Sequence, residues 1–386
     1  DENKIYAVNV LSNMETEGIG SKAVEALPGM MVEQQTFNVD GISGATISST
    51  ALRTGVEQAL KEMGLDSEKF AKAQVAADSV KKEDQNLEAD VCVIGAGGAG
   101  MISAITAADS GKKVVILESQ GIVGGNSVRA TGGMNAAATK WQADNSFEEG
   151  SGVEKTLATA AEKYADNETI TALAEKVKEQ YAAYQANPEG YFDSVELMEL
   201  DTMVGGKGTN NPELVKVLAE KSGPAIDYLE TLGMTVHNVG AFGGASVKRI
   251  HRPVDENNKV IAVGSYMVPI LEKNVNEREN ITLLTSVTAD KIEQDEAGNV
   301  IGVHALSANG AEVHVKAKAV IIATGGFAAN REMVEKYQPS LKGYMSTNAS
   351  GALGQGITIA EAIGADTVDM DQIQIHPTVT TTDAHL

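Results

Sequence analysis

The chain has 386 residues, enough for two or three domains and a sizeable core. Its formal net charge of −22 argues against nucleic acid and anionic membrane surfaces as partners, because both need clustered Lys and Arg. A single cysteine, Cys92, sits in the apolar run DVCVIGAG, which predicts core packing and argues against disulfides, zinc sites and iron–sulfur clusters.

No apolar run approaches the roughly 18 residues of a membrane span. The chain opens on Asp1 rather than Met and shows no signal peptide, so the expectation is a mature or trimmed product. Residues 1–70 begin with the strand-like KIYAVNVL and pass through ETEGIG to DGISGATISST, Asp40 to Thr50, which is rich in hydroxyls. A helix, STALRTGVEQALKEMG, follows; Ala51, Val56, Ala59 and Leu60 give it an apolar face, and Gly64 reads as its C-cap. Ser48 or Ser49 is the expected N-cap. Residues 71–89 are polar and charged with weak periodicity, as in a partly helical linker.

At Asp90 the pattern changes abruptly. DVCVIGAGGAGMISAITAADSGKKVVILES reads as an apolar strand, a glycine turn, a helix and a second strand ending in Glu118, a βαβ unit. Residues 151–235 are mostly amphipathic helix: EKTLATAAEKYAD, NETITALAEKVKEQYAAYQA and NPELVKVLAEKSGPAIDYLETLG. From about residue 281 the period becomes two. VIGVHAL and AEVHVKAKAVIIATGG alternate, with EAGN as a hairpin turn between KIEQD and VIGV. His304 and His314 lie on these strands and read as ordinary strand residues rather than ligands.

GAGGAG places Gly95, Gly97 and Gly100 in a G-x-G-x-x-G spacing with a strand before it, a helix after it and an acid ending the next strand. Gly95 allows the tight turn, Gly97 a close approach to a pyrophosphate at the helix N-terminus, and Gly100 close helix–strand packing; Glu118 would accept from ribose hydroxyls. Downstream, GIVGGNSVRATGGMNAA has glycine pairs at 124–125 and 132–133 with Asn126, Ser127 and Thr131 between them. A nicotinamide enzyme has no need of this second Gly-rich loop. With a further strand ending in Thr324 to Gly326, the pattern suits FAD, a long ligand that lies across the sheet.

VIGAGGAG, GGNSVRATGGMNAA, GGASVKRIHRP, VIIATGGFAANREMV and IQIHPT occur in that order over residues 90–378. This segment resembles the FAD domain of the fumarate reductase and succinate dehydrogenase flavoprotein family, most closely soluble flavocytochrome-type fumarate reductases and urocanate reductases. The resemblance implies an α/β fold: a Rossmann-like FAD-binding domain over 90–370 with inserted helices and a β-meander, preceded by a small α+β FMN-binding domain over 1–70. It also implies that a clamp (capping) domain starts near residue 371 and is largely missing, with the general-acid Arg beyond Leu386. Non-covalent FAD contacts are implied at Gly95, Gly97, Gly98, Ala99, Gly100, Glu118, Gly124, Gly125, Asn126, Ser127, Thr131, Gly132, Gly133, Met134, Val287, Ala323, Thr324, Gly325, Gly326, Gly354 and Gly356. In GALGQG, Gln355 stands where relatives often carry an acid.

The hydroxyl-rich stretch resembles the flavinylation motif of FMN-binding domains, which implies covalent FMN on Thr46 through a phosphoester. Gly41 and Gly44 would let the backbone bend around the phosphate. Two flavins on one chain imply a relay of electrons inward, from FMN to FAD, and so a reductase. The implied reaction reduces the C=C bond of an unsaturated carboxylate, with fumarate to succinate first and urocanate, cinnamate or acrylate as alternatives. A non-enzymatic electron carrier and an FAD oxidase of the aspartate oxidase kind are readings of other classes. His376 matches the substrate-carboxylate histidine, with Thr378, Gly132 and Phe242 near the substrate. Lys248, Arg249, His251 and Arg252 in KRIHRP either attract an anionic substrate or brace the flavin site. The electron donor is expected to be quinol-linked, a cytochrome or a flavoprotein. Relatives with this FMN domain are commonly extracytoplasmic, periplasmic or at the cell surface, which is the expectation here, with cytoplasmic examples known.

Overall fold

The computed structural model describes residues 4–11, 13, 15, 20–39, 41–42, 45–71 and 84–375, with Glu33, Thr46 and Ile47 as backbone only. The chain divides into two compact units, residues 1–129 with 271–386, and residues 130–270. No helix among the described residues is long and apolar enough to cross a membrane.

The first unit opens with α1 (Gly20–Gln34) and α2 (Thr46–Glu62). Ala23, Leu27, Met31, Val39, Ile42 and Ala45 form a small buried core here. KIYAVNVL pairs with no strand among the described residues, so the expected β element is not present there. The N-cap of α2 is Ala45 and makes no side-chain cap bond, which corrects the expected serine cap. Both serines lie inside the first turn and are engaged: Ser48 Oγ donates to Glu15 Oε2 at 2.6 Å, and Ser49 Oγ accepts from Ile42 N at 3.0 Å.

β1 (Gln85–Ile94) begins ahead of the expected start at Asp90, and is followed by α3 (Gly98–Asp109) and β2 (Val114–Leu117). Every residue of β2 is buried, as a strand covered on both faces requires. Burial pushes the Cys92 thiol up to about 12, so it is a packing residue.

The second unit begins with β3 (Met134–Asn135) and continues through α4 (Gly150–Lys163), α5 (Glu168–Ala186), α6 (Val195–Gly205) and α7 (Pro212–Thr231). Asn167, Ser194 and Asn211 cap α5, α6 and α7, each accepting from an amide of the first turn, and Pro212 takes N1 of α7. β4 (Asn238–Gly240) and β5 (Ile250–Arg252) join β3 in a three-stranded antiparallel sheet ordered β3-β5-β4.

α8 (Val263–Asn276) carries the chain back into the first unit, where β6 (Ile281–Leu284), β7 (Val287–Gln294), β8 (Val300–Ser307) and β9 (Glu312–Ile322) follow. α9 (Arg331–Tyr337) and α10 (Gln355–Glu361) complete it. The six-stranded sheet has the order β6-β2-β1-β9-β8-β7. Its first four strands are parallel, and β9, β8 and β7 form the antiparallel meander expected from the two-residue period. This is the Rossmann-like α/β arrangement. β1, at the centre, pairs with β9 from Gln85↔Val313 to Ile94↔Ile322, which brings the ends of both strands to one edge of the sheet.

In the second unit Arg249 is 1% exposed and lies between two buried acids. Its Nη2 donates to Asp193 Oδ1 at 2.7 Å and its Nη1 to Asp201 Oδ2 at 2.6 Å. Burial opposes its charge, and the two carboxylates more than offset that, so its pKa is raised. The acids are held further by Gln142 on Asp193 and by Thr156 and Ser246 on Asp201. Arg249→Ala leaves two buried carboxylates without their cation and is expected to lower stability by about 3–5 kcal/mol, read as a drop in the denaturation midpoint. Arg249→Lys, which keeps the charge but loses the forked geometry, is expected to fall between the two.

Candidate functional site

The glycine turn after β1 combines two constraints. Gly95 has φ +102°, and a Cβ there would meet the Ala323 carbonyl oxygen at 2.6 Å. At Gly100 a Cβ would lie 1.9 Å from the Gly95 carbonyl oxygen. Both glycines are therefore required by the chain itself. Gly97 is different: a Cβ there would meet nothing closer than Ser127 Oγ at 3.6 Å. Nothing in the protein demands glycine at 97, so the smooth surface it leaves is free for a ligand. That is the division of roles the G-x-G-x-x-G spacing predicts.

Around this turn lies a cleft of about 230 Å³ lined by Gly95, Gly97, Gly98, Ala99, Glu118 and Ser127. Gly125, Asn126, Val287, Ala323, Thr324, Gly325 and Gly356 line it as well, so thirteen of the sequence-predicted positions share one cleft. The volume is below the roughly 300–1,000 Å³ of a pocket that encloses a small molecule whole, as suits a groove holding one portion of a long dinucleotide. The N-terminus of α3 lines it through Gly97, Gly98 and Ala99; Gly97, the N-cap, offers no side-chain cap, and Ser127 Oγ takes the Gly98 amide. An anion is the natural partner of such a terminus.

Glu118 is buried and already holds the turn in place. Its Oε2 accepts from Ala96 N at 2.7 Å and its Oε1 from Gln120 N at 2.8 Å. Ser127 Oγ accepts from Gly98 N at 3.0 Å. Asn126 reaches a distant loop: its Nδ2 donates to Asn348 Oδ1 and its Oδ1 accepts from Ala349 N, both at 2.7 Å. Arg129 Nη1 donates to the Thr347 carbonyl at 3.1 Å, while its Nε is buried without a hydrogen-bond partner among the described residues. Loss of solvation lowers the Arg129 pKa.

Sequence reasoning missed the loop around Asn348. Ala349, Gly351 and Ala352 line the cleft, and so does Gln120. The signal available was the run of small residues immediately before GALGQG. Gln355 also lines the cleft.

Other predicted positions stand apart from this lining. Gly124 pairs with Gly97 in an isolated parallel bridge. Gly354 is the left-handed N-cap of α10 at φ +79°, and its N–H donates to the Gly326 carbonyl at 3.2 Å. Thr131, Gly132, Gly133 and Met134 belong to the second unit. Gly133 is accounted for by packing, since a Cβ would meet the His251 carbonyl oxygen at 2.4 Å; Gly132 has open space. Phe242 is 40% exposed in the second unit. His376 and Thr378 lie outside the described residues, as do Ser43 and Gly44.

The basic cluster KRIHRP resolves into a brace. Lys248 pairs with Glu149 at 3.0 Å, and Arg249 is held by its two acids. His251 is fully buried, and desolvation lowers its pKa. Its Nδ1 faces the Arg249 carbonyl at 2.8 Å, so Nδ1 carries the hydrogen and Nε2 accepts from Thr139 Oγ1 at 2.7 Å. Within this cluster, Arg252 Nε is buried without a hydrogen-bond partner among the described residues.

Comparison with known proteins agrees with this geometry. Residues 90–193 and 181–385 match the FAD binding domain model, and residues 1–61 match the FMN-binding domain model. An NADH:fumarate oxidoreductase of Klebsiella pneumoniae is 35% identical over 92% of this chain and 32% of its own length. A urocanate reductase of Eggerthella lenta is 34% identical over 98% of this chain and 54% of its own. The chain thus spans about a third to a half of these relatives. The open conformation of a flavocytochrome c3 fumarate reductase superposes with a TM-score of 0.62 and 29% identity, over 84% of this chain and 47% of that one.

Gly100→Ala forces the turn away from its strand. The expected outcome is a folded protein whose FAD content falls at least about tenfold, read from flavin absorbance per protein after acid release, because helix and turn no longer present their amides together.

Proposed function

The chain belongs to the FAD-binding domain family and carries an FMN-binding domain ahead of it, and on that premise we propose that it acts in a flavin-dependent reductase of unsaturated carboxylates. The observation that carries this reading is the open surface at Gly97, set between two glycines the backbone requires and placed at the N-terminus of α3. When bound, reduced FAD supplies hydride to one carbon of the double bond. The chain's part is to bind and orient. The Gly95–Gly100 turn and the α3 amides hold the diphosphate, Glu118 takes the ribose, and small residues at 124–127 and 323–326 admit the rest. His376 is assigned to the substrate carboxylate, with Thr378 beside it; a cation-like contact there stabilises charge that builds as the bond is reduced.

Fumarate is the first substrate in this reading, supported by His376 in IQIHPT. Urocanate is the second, supported by a relative that aligns with nearly the whole chain, FMN domain included. Thr46 is the proposed FMN attachment point. Its backbone starts α2, and Ala45 leaves the first-turn amides without a side-chain cap, as suits a phosphate at that position. Ile122, from the loop that supplies Gln120 and Gly125 to the cleft, packs against the Ala23–Ala45 core. That contact ties the FMN segment to the FAD cleft, as an inward electron relay needs.

Two measurements test this. Anaerobic reoxidation of the dithionite-reduced full protein is expected with fumarate, and more weakly or not at all with urocanate and acrylate; if none of the three reoxidises it, the ene-reductase reading fails. Intact mass is expected to show wild type heavier than Thr46→Ala by one FMN unit beyond the side-chain difference. Equal flavin loading in both would move the attachment elsewhere.

A further inference from the structure

His304 on β8 and His314 on β9 are directly opposite each other in the antiparallel ladder. Opposed residues share one face of a sheet, and these two rings lie 4.8 Å apart between centroids, tilted by 57°. Glu312 joins them: one ligand atom from each of His304, Glu312 and His314 lies within 4.8 Å of the others. From sequence the two histidines read as ordinary strand residues, because strand alternation does not reveal which residue of a neighbouring strand stands opposite.

The carboxylates around the pair are arranged in an informative way. On β7 the register shifts between Ala289 and Lys291, so Asp290 is the extra residue of a β-bulge. A bulge re-aims a side chain, and Asp290 Oδ1 lies 2.5 Å from His304 Nδ1. An ionised carboxylate only accepts, so Nδ1 carries the hydrogen and Nε2 keeps its lone pair. At His314, Nδ1 lies 3.7 Å from Glu293 Oε1 and Nε2 lies 3.6 Å from Glu312 Oε2. Glu293 is paired with Gly302, which has no side chain to stand between it and β9. His304 thus has a carboxylate at Nδ1 and Nε2 available, the arrangement in which an outer carboxylate orients a metal-binding imidazole, while His314 has Glu293 on its Nδ1 side and Glu312 on its Nε2 side.

We propose that His304, His314 and Glu312 bind one zinc-class divalent cation, clipping β8 to β9, with Asp290 and Glu293 orienting the two imidazoles. Imidazole with one carboxylate suits zinc, nickel or copper rather than calcium or magnesium. Bonds of about 2.1 Å place tetrahedral ligands about 3.4 Å apart, so closure needs only side-chain rotation of partly exposed groups. None of the three ligands lines the flavin cleft, and the site is proposed as a structural clip, with water completing the coordination.

The test is calorimetric titration of Zn²⁺ into the chelator-treated, flavin-loaded full protein. One equivalent is expected to bind. His304→Ala and His314→Ala are each expected to weaken binding by at least about 100-fold, and Asp290→Asn by about tenfold because it leaves the ligands intact. His237→Ala, in the second unit and outside the cluster, is expected to bind as wild type. His304→Gln and His314→Gln repeat the test with side chains of similar reach, and unchanged flavin absorbance in every variant separates lost binding from lost fold. Absence of saturable binding in the wild type, or binding that persists in the double variant His304→Ala/His314→Ala, overturns the proposal.

Discussion

The structure depends on the parallel pairing of β1 with β9. Nine residue pairs hold these strands together, ending at Ile94↔Ile322, and the Ala323 N–H extends the ladder by donating to the Ile94 carbonyl at 2.8 Å. The two strands come from opposite ends of the chain, separated by the whole of the second unit. Their pairing brings the Gly95 turn against Ala323 so closely that only glycine fits at 95. A site assembled this way is non-local. Neither glycine segment forms a cleft alone, and the entropy of closing a long intervening loop rises only slowly with its length. An inserted unit is therefore tolerated between the two halves of a nucleotide site.

A second constraint operates in the inserted unit, where Arg249 rather than an apolar side chain occupies a fully buried position. Leaving a guanidinium there unpaired would be costly. The forked donors of Arg match two carboxylates in a way Lys cannot. Its partners come from Asp193, just before α6, and Asp201 within it, while Gln142 bridges Asp193 to the Lys248 carbonyl. The cluster ties a helix and loop to β5 and thereby fixes His251 in one tautomer. The basic residues of KRIHRP, conspicuous in an acidic chain, are thus mostly occupied with each other's surroundings. Arg252 is the member left with an unpartnered buried nitrogen.

How much of this was legible in the sequence follows from how local each signal is. The turn at Gly95–Gly100, the helix after it and the acid at 118 are set within about 25 residues, and they were readable. So was the meander, because EAGN is a turn whatever packs on it. KIYAVNVL was misread as a strand because β propensity is realised only beside a partner strand. α1, α8, α9 and α10 carry no helix signal in the sequence reading, and α6 enters it only as part of the mostly helical stretch 151–235. The sequence VELMELDTMVG is apolar on too many sides to show an amphipathic stripe, and VGSYMVPILEKNVN contains Pro269 inside the helix. The α2 cap failed for a different reason: Ser48 and Ser49 each found a partner nearer than the helix terminus. The contact of Asn126 with Asn348 and Ala349 spans more than 220 residues, and no local pattern encodes it.

Glu118 shows how these local and distant parts combine. Its carboxylate could wait in water for a ribose, as its position at the end of β2 suggests. Instead it is buried and strapped to Ala96 N and Gln120 N, so the acid and the turn form one rigid piece. A carboxylate offers about four lone-pair sites, so two close amide bonds leave acceptor capacity for hydroxyl donors. The buried charge is stabilised before any ligand arrives, and a ligand that donates to it need not displace those bonds. Preorganisation of this kind lowers the ordering cost of binding, which suits a cofactor held without a covalent link. It also explains why Glu serves here better than a neutral side chain: both its oxygens accept from the protein, Oε2 from Ala96 N and Oε1 from Gln120 N.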